Sequence, residues 1–395
     1  MVARRHEAPA AAGGPDGPGA ARAAARPFPV PPDSLAVTSW RTPAGVRLDL
    51  RYAPDEAELL DTPPASVWEE LINSSARGGA DAVGHYAVDD PFGGERGAEG
   101  VARHFDCPLS SRQVTFAAGV TSLLHDLEGL AAGGLIAAPE WVHADLEAWA
   151  VARGGRFELF PETAERGELI ARLEDLGPSL LHLDRPSFTG RAVALDELRE
   201  VVAAAARVGA VVLIDESPAP YLGPRGSAVR LVNGADNLVV LRGFTKAYSM
   251  GGLRVGFAVA SEGVAARVRE LVAPLQVSEL SLLAALRLLD AGDFFGRLLA
   301  RIRVMKPAAS RLLAAAGLEV IPGHPDLPWV AVSDVDGQAA GLLEARGICA
   351  LRPAPPPIFP APRAGVMRLT VPLSDGRMAL LRQLLTGDGG GVRET

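Results

Sequence analysis

Between Val114 and Ala260, short apolar runs alternate with stretches long enough to form a helix, and this rhythm narrows the folds open to the chain more than any other feature. The runs fall at Val114–Ala117, Leu135–Ala138, Arg156–Phe160, Ser179–Leu183, Val211–Ile214, Leu238–Leu241 and Val255–Ala260. Short apolar runs of this kind suit strands covered on both faces. Helix-length segments such as Leu195–Val208 separate most of them. The alternation predicts an α/β fold built on a mostly parallel seven-stranded sheet, with ligand-binding residues at the carboxyl ends of its strands.

At 395 residues the chain exceeds one typical core and suggests two domains. Ahead of the apolar runs, Ser39–Leu50 reads as a strand and Ala65–Ser75 as a helix. After Glu262 come two helical stretches and a long one from Phe294 to Ala315. A second α+β unit follows, with strands near Leu318–Ile321, Trp329–Ser333, Cys349–Leu351 and Val366–Thr370 and helices at Gly337–Arg346 and Ser374–Thr386. The expected division is a disordered Pro/Ala/Gly/Arg-rich extension over 1–35, the amino-terminal part of the smaller domain over 36–80, a large α/β domain over 81–293, a smaller α+β domain over 294–387 and a glycine-rich tail over 388–395. Residues 353–363 are mostly proline and alanine and read as an exposed loop.

Charge and cysteine usage exclude several classes. A net charge of −8 without a dense basic run argues against a nucleic-acid partner. No apolar run reaches the roughly 18 residues of a membrane span. The two cysteines, Cys107 and Cys349, lie far apart without ligand spacing, which argues against a disulfide framework or a zinc site and fits a reducing cytoplasm.

Three strand ends carry chemistry. Leu241-Arg-Gly-Phe-Thr-Lys246-Ala-Tyr-Ser-Met-Gly-Gly-Leu-Arg254-Val-Gly256 follows a strand with a lysine, which can form an imine with an aldehyde, and an arginine, which can hold a dianion. Phe116-Ala-Ala-Gly119-Val-Thr-Ser ends a strand and opens a helix, so Gly119, Val120 and Thr121 offer backbone N–H groups to an anion. Val211-Val-Leu-Ile-Asp215-Glu216 places a carboxylate immediately after an apolar strand.

The block around Lys246 resembles the Schiff-base segment of fold-type I pyridoxal phosphate (PLP) enzymes, the class I/II aminotransferase family, and the resemblance runs from about residue 80 to 385. It implies an aspartate aminotransferase-like fold and pyridoxal 5′-phosphate as cofactor, bound covalently by Lys246, which then serves as acid and base. Asp215 would keep the pyridine nitrogen protonated, and Trp141, in Ala-Pro139-Glu-Trp141, would stack on the ring. Gly119, Val120, Thr121, Thr245 and Arg254 would hold the phosphate. Tyr86 would reach it across a dimer interface, since the family builds homodimers. Arg368 would clamp the carboxylate of an amino-acid substrate, with Arg352 a second candidate. Glu216 reads as a solvated or supporting acid and His143 as a polar helix-face residue.

Three positions depart from the family pattern. The usual Asn-Pro-x-Asn-Pro-Thr-Gly stands here as Asp184-Arg-Pro-Ser187-Phe-Thr-Gly190, so Ser187 replaces an Asn that bonds the cofactor's phenolic oxygen. Pro218 replaces a Tyr with the same target, and Gly243 stands where a phosphate-binding hydroxyl is usual. Ser187, Ser217 or Tyr221 would have to substitute. The expected function is an aminotransferase acting on an α-amino acid. One alternative is a specialised PLP enzyme of natural-product biosynthesis catalysing elimination, replacement, cyclisation or oxidation; another is a catalytically silent PLP-binding relative.

Overall fold

The computed structural model describes residues 44–76, 84, 86–292, 294–353 and 365–387. The expected extension over 1–35, the tail over 388–395 and most of the proline-rich segment lie outside the described residues. In chain order the elements are β1 (Leu48–Asp49), α1 (Pro64–Ala76), α2 (Gly94–Phe105), β2 (Val114–Ala117), α3 (Val120–Leu127), β3 (Leu135–Pro139), α4 (Asp145–Ala152), β4 (Arg156–Phe160), α5 (Arg166–Leu176), β5 (Leu180–Asp184), α6 (Leu195–Arg207), β6 (Val211–Asp215), β7 (Leu238–Gly243), β8 (Gly256–Ala260), α7 (Glu262–Leu271), α8 (Glu279–Asp290), α9 (Gly296–Ala315), β9 (Val320–Ile321), β10 (Trp329–Asp334), α10 (Gln338–Ala345), β11 (Ile348–Cys349), β12 (Gly365–Thr370) and α11 (Asp375–Thr386).

The seven apolar runs form one sheet in the order β2-β8-β7-β6-β5-β3-β4. Successive side chains point to opposite faces, and both faces are covered. Val211, Leu213, Val239 and Leu241 pack with Leu123 and Leu127 of α3 and Val264 and Val268 of α7. Val212, Ile214 and Val240 join a second core with Val201 of α6 and Leu282 of α8. This double burial is why the runs lack a polar alternation. Strands β3 to β7 pair in parallel, whereas β8 runs antiparallel to both β2 and β7. The β7–β8 connection holds no α-helix. An antiparallel return needs no crossover helix, so this loop is free to carry functional side chains at the sheet's edge.

The carboxyl-terminal part forms an antiparallel sheet, β12-β10-β9, and β1 pairs in parallel with β11. The expected strand over Ser39–Leu50 is shorter than the sequence suggests: its described part holds only Leu48–Asp49. Its partner β11 is itself two residues long; the Leu50 N–H still donates to the Cys349 carbonyl at 2.8 Å, while the Leu50 carbonyl accepts from the Thr370 N–H at 2.7 Å.

One buried acid has a stability consequence. Glu128, in the turn after α3, is 2% exposed, and neither carboxylate oxygen has a hydrogen-bond partner; Arg153 Nη1 stands 3.6 Å from Oε2. Burial, opposed by Arg153, pushes its carboxyl from 4.5 to about 9. The folded state therefore holds a proton that the unfolded chain releases. The associated stability is complete below the unfolded value and is lost as pH rises through the folded one. Glu128→Gln is expected to raise stability at pH ~8 by about 1–3 kcal/mol and to leave it unchanged near pH ~4. Thermal melts of both proteins across that range check the sign.

Candidate active site

Lys246 sits on the β7–β8 loop, which is fixed from below by apolar residues. Phe244, Ala247 and Tyr248 are buried, with the Phe244 and Tyr248 rings 5.0 Å apart and Tyr248 edge-on to Phe294 and Phe295. The Met250 N–H closes the loop onto the Phe244 carbonyl at 3.0 Å. Thr245 and Lys246 keep solvent-accessible surface. Lys246 Nζ donates to Ser217 Oγ at 3.2 Å. Protein nevertheless surrounds the amine closely, and this desolvation lowers its pKa. Arg368 acts in the same direction, against Asp215 and Asp184.

Asp215 ends β6 and is 8% exposed. Its Oδ1 accepts the Ser217 N–H at 2.7 Å, so one turn ties the acid to the residue that contacts Lys246. The β5–β6 register sets Asp184 directly opposite Asp215, with His182 two positions earlier on the same face. His182 is fully buried, and its Nε2 lies 2.8 Å from Asp184 Oδ1. Burial raises the Asp215 pKa, and the Asp184 charge adds to it; Lys246, the Ser217 N–H and His182 pull the other way. His143 joins this group. It precedes α4 rather than lying on a helix face, stacks on Trp149 with ring centroids 5.5 Å apart, and feels the charges of Asp145, Asp184, Asp215 and Lys246. Its pKa is lowered, foremost by burial.

An anion cradle lies where β2 meets α3. Gly119 adopts φ 91°, a region open to glycine, and a Cβ there would stand 2.9 Å from Arg254 Nη2. The first-turn N–H groups of α3, including those of Val120 and Thr121, have no carbonyl one turn earlier to bond. Arg254 itself is left-handed at φ 50°, with Nη1 on the Gly251 carbonyl at 3.0 Å. Gly243 is required by the same packing, since a Cβ would come within 2.8 Å of Val120 Cγ2. Thr245 lies against Gly251, whose Cβ would meet its Cγ2 at 3.1 Å.

Trp141 follows β3 with a left-handed φ of 62°, unusual for a bulky residue, and its Cζ2 reaches Gly365 at the start of β12. Further along β12, Arg368 Cζ lies 5.1 Å from the Phe188 ring centroid and 5.0 Å from that of Trp329. Burial lowers the Arg368 pKa to about 10, opposed by Tyr221, Asp184 and Glu56.

Other expected residues are occupied elsewhere. Ser187 Oγ donates to Glu162 Oε1 at 2.6 Å, and Thr189 bonds the same oxygen. Tyr221 OH donates to Glu56 Oε2 at 2.5 Å, away from Lys246. Of the three proposed substitutes, Ser217 is the one in hydrogen-bond contact with Lys246. Glu216 is not solvated: it is fully buried, with Arg185 at 2.7 Å, Arg242 at 3.2 Å, Ser227 Oγ at 2.5 Å and the Ala228 N–H at 2.8 Å. Two buried arginines sharing one carboxylate explain that burial. Arg352 makes an exposed pair with Glu344. Tyr86 is 81% exposed and lines a cavity of about 270 Å³ with Asp90, Arg96 and Glu279, apart from the Lys246 group. The residues not anticipated are His182, Asp184, Glu162, Phe188, Trp329 and Glu56. For His182 and Asp184 a signal exists: both interrupt the apolar pattern of β5 on one face.

Strand order and the siting of these groups at strand ends define an aspartate aminotransferase-like fold of the PLP-dependent type. The chain belongs to the aminotransferase class I and II family, whose sequence profile matches residues 61–385. It is 29% identical over 180 residues to the histidinol-phosphate aminotransferase of Thermoanaerobacter pseudethanolicus, covering 45% of this chain and 50% of that one. It is 34% identical over 125 residues to the aromatic amino acid aminotransferase of Mycobacterium tuberculosis, covering 30% and 35%. The matched region thus spans half or less of these curated relatives. Among solved structures, histidinol-phosphate aminotransferase from Sinorhizobium meliloti in complex with pyridoxal-5′-phosphate superposes with a TM-score of 0.67 at 18% identity, over 87% of this chain and 92% of that one. Aspartate aminotransferase from Thermotoga maritima gives 0.67 at 20% identity, over 86% and 91%. At those identities the likeness is one of fold. The family's cofactor, pyridoxal 5′-phosphate, fits the residues present: the cradle leaves space at Gly119 that a side chain would fill, and Asp215 is a buried acid beside the lysine. Among the described residues no helix is long and apolar enough to cross a membrane.

Proposed function

We propose that the protein is a PLP-dependent enzyme acting on an α-amino acid, in the first place an aminotransferase. The supporting observation is the setting of Lys246, whose amine contacts Ser217 within charge reach of both Asp215 and Arg368. When bound, pyridoxal 5′-phosphate supplies an aldehyde that exchanges amines and a ring that takes up the electron pair left at Cα. In this reading Gly119, Val120, Thr121, Thr245 and Arg254 hold the phosphate dianion. Asp215 holds a proton at the ring nitrogen, and Trp141 flanks the ring. Arg368 grips the substrate carboxylate in its planar fork and fixes Cα against Lys246. Lys246 Nζ would hold the group and, as a free amine, would remove the Cα proton and return it. Its lowered pKa, from burial and Arg368, favours the neutral amine that a base requires.

We assign residues 81–293 to a cofactor-binding domain and 294–387, with 36–80, to a smaller domain. A homodimer is part of this reading: Tyr86, Val88 and Leu275 are exposed around the cavity at residues 86–91, where a second copy would cover them. The two free cysteines suit the cytoplasm.

One observation favours a second reading. Two donors usual in the family are replaced by Ser187 and Pro218, and the possible substitutes Ser187 and Tyr221 are turned to Glu162 and Glu56; a specialised elimination, replacement, cyclisation or oxidation fits that altered setting. Mixing the holo-protein with each proteinogenic amino acid, with and without 2-oxoglutarate, separates the two. An aminotransferase loses its visible band with the amino acid alone and recovers it, with release of glutamate, when the keto acid is added. Steady turnover that ignores the keto acid overturns the first reading and supports the second.

A further inference from the structure

We propose that Phe188 is a positioning residue which, with Trp329, holds the Arg368 guanidinium by its aromatic faces and so leaves the fork's in-plane donors free for the substrate's anionic group. The proposal rests on Arg368 being the carboxylate-binding residue and deepens that assignment.

Arg368, half-buried yet closely surrounded by protein, differs from the buried arginines among the described residues. Arg51 pairs with Asp49 at 2.7 Å, Arg185 with Glu216 at 2.7 Å and Arg242 with Glu216 at 3.2 Å. Arg368 has no carboxylate within 4.0 Å and no side-chain hydrogen bond among the described residues; its neighbours are the rings of Phe188 and Trp329, each about 5 Å from Cζ. A desolvated guanidinium without a partner needs both a device to hold it and an anion to complete it. An aromatic face supplies the first without occupying any of the N–H donors that a carboxylate uses edge-on.

The surroundings direct both rings to this task. The main chain of Arg368 is clamped by reciprocal hydrogen bonds with Leu351 at 2.8 Å, and β12 pairs Arg368 with Ala331 of β10, which puts Trp329 diagonally across on the neighbouring strand. Phe188 comes from the loop after β5. The residues on either side of it, Ser187 and Thr189, both bond Glu162, and the Arg191 N–H donates to Ser187 Oγ at 3.1 Å. With its neighbours tied to Glu162, Phe188 alone of the three reaches Arg368. The family pattern has proline at this position, which has no aromatic face to offer, so the device belongs to this chain's own departure from that pattern. It also accounts for the Glu162 contacts, which the catalytic steps do not use.

The test uses the holo-protein. The proteinogenic L-amino acid that perturbs the wild-type visible band at the lowest concentration is taken forward with its decarboxylated amine, and both are titrated against wild type, Phe188→Leu, Phe188→Met and Phe188→Tyr. Removing the ring is expected to raise Kd and KM for the amino acid roughly three- to thirty-fold. In the same variants kcat and the affinity for the amine should stay within about two-fold, and Phe188→Tyr should match wild type. In an Arg368→Leu background, Phe188→Leu should add nothing further. Unchanged amino-acid affinity in both ring-less variants would overturn the proposal, as would an equal loss for the amine, which would mark a general packing role. A wild-type band that no amino acid perturbs would instead sink the reading of the function itself, and this proposal with it.

Discussion

Lys246→Ala is expected to lower turnover by at least about 10⁴-fold and to abolish covalent attachment of the cofactor. The chain makes this test unusually clean, because it holds only two lysines, Lys246 and Lys306. Lys306 is buried on α9, with its Nζ on the His324 carbonyl at 2.5 Å and a pKa lowered by burial to about 8. It belongs to the contact between α9 and the loop leading into β10. Borohydride reduction followed by mass spectrometry should therefore add one cofactor mass to wild type, on the peptide containing Lys246, and none to Lys246→Ala. The fold should survive, since Lys246 keeps solvent-accessible surface and its one side-chain hydrogen bond among the described residues is to Ser217. A variant that retained a stoichiometric adduct would remove the basis of the functional assignment, whatever its activity.

The parts of this architecture legible in the sequence are those whose cause is local. β6 and β8 lie between covered faces, so every residue in them is buried, and both are apolar but for Asp215, the last residue of β6. Asp215 stands out as a carboxylate closing an apolar run, and Lys246 as a lysine shortly after β7 in a glycine-rich segment. What could not be read is set by distant partners. Tyr221 bonds Glu56, 165 residues away, and only the folded chain shows that its hydroxyl is turned from Lys246. Ser187 was a plausible donor by position, but Glu162, on the loop after β4, captures it. Glu216 looked solvated because it follows a strand end, yet Arg185 and Arg242 reach it from β5's end and β7. His143 is set by tertiary partners for a related reason: besides Asp145 and Trp149 of the helix it precedes, Asp184 and Asp215 at the ends of β5 and β6 act on it. Side-chain direction in loops is a tertiary property, and the departures from the family pattern cluster in loops.

Asp215→Asn is expected to lower kcat by roughly 10²- to 10³-fold while sparing the covalent link to Lys246. The substitution keeps the shape, and the Asn Oδ1 can still accept the Ser217 N–H that Asp215 accepts at 2.7 Å, so the β6 turn should not rearrange. It removes the charge that would hold a proton at the ring nitrogen. In the ligand-free chain that charge is disfavoured by burial and next by Asp184, directly across the strand pair. A cation placed against Asp215 therefore gains more than it would beside a solvated acid, and losing the carboxylate costs correspondingly more. Asp184 supplies the control. Asp184→Asn removes a negative neighbour, so Asp215 should ionise at lower pH, and the acid limb of the kcat/KM profile should move down in pH. Had Asp184 been a structural partner of His182 alone, that limb would stay in place while thermal stability fell. Joint measurement of kcat, the cofactor adduct and the pH profile separates these outcomes: a ten-fold or smaller fall in kcat for Asp215→Asn would assign the ring-nitrogen role to another residue, and the acid nearest to inherit it is Asp184.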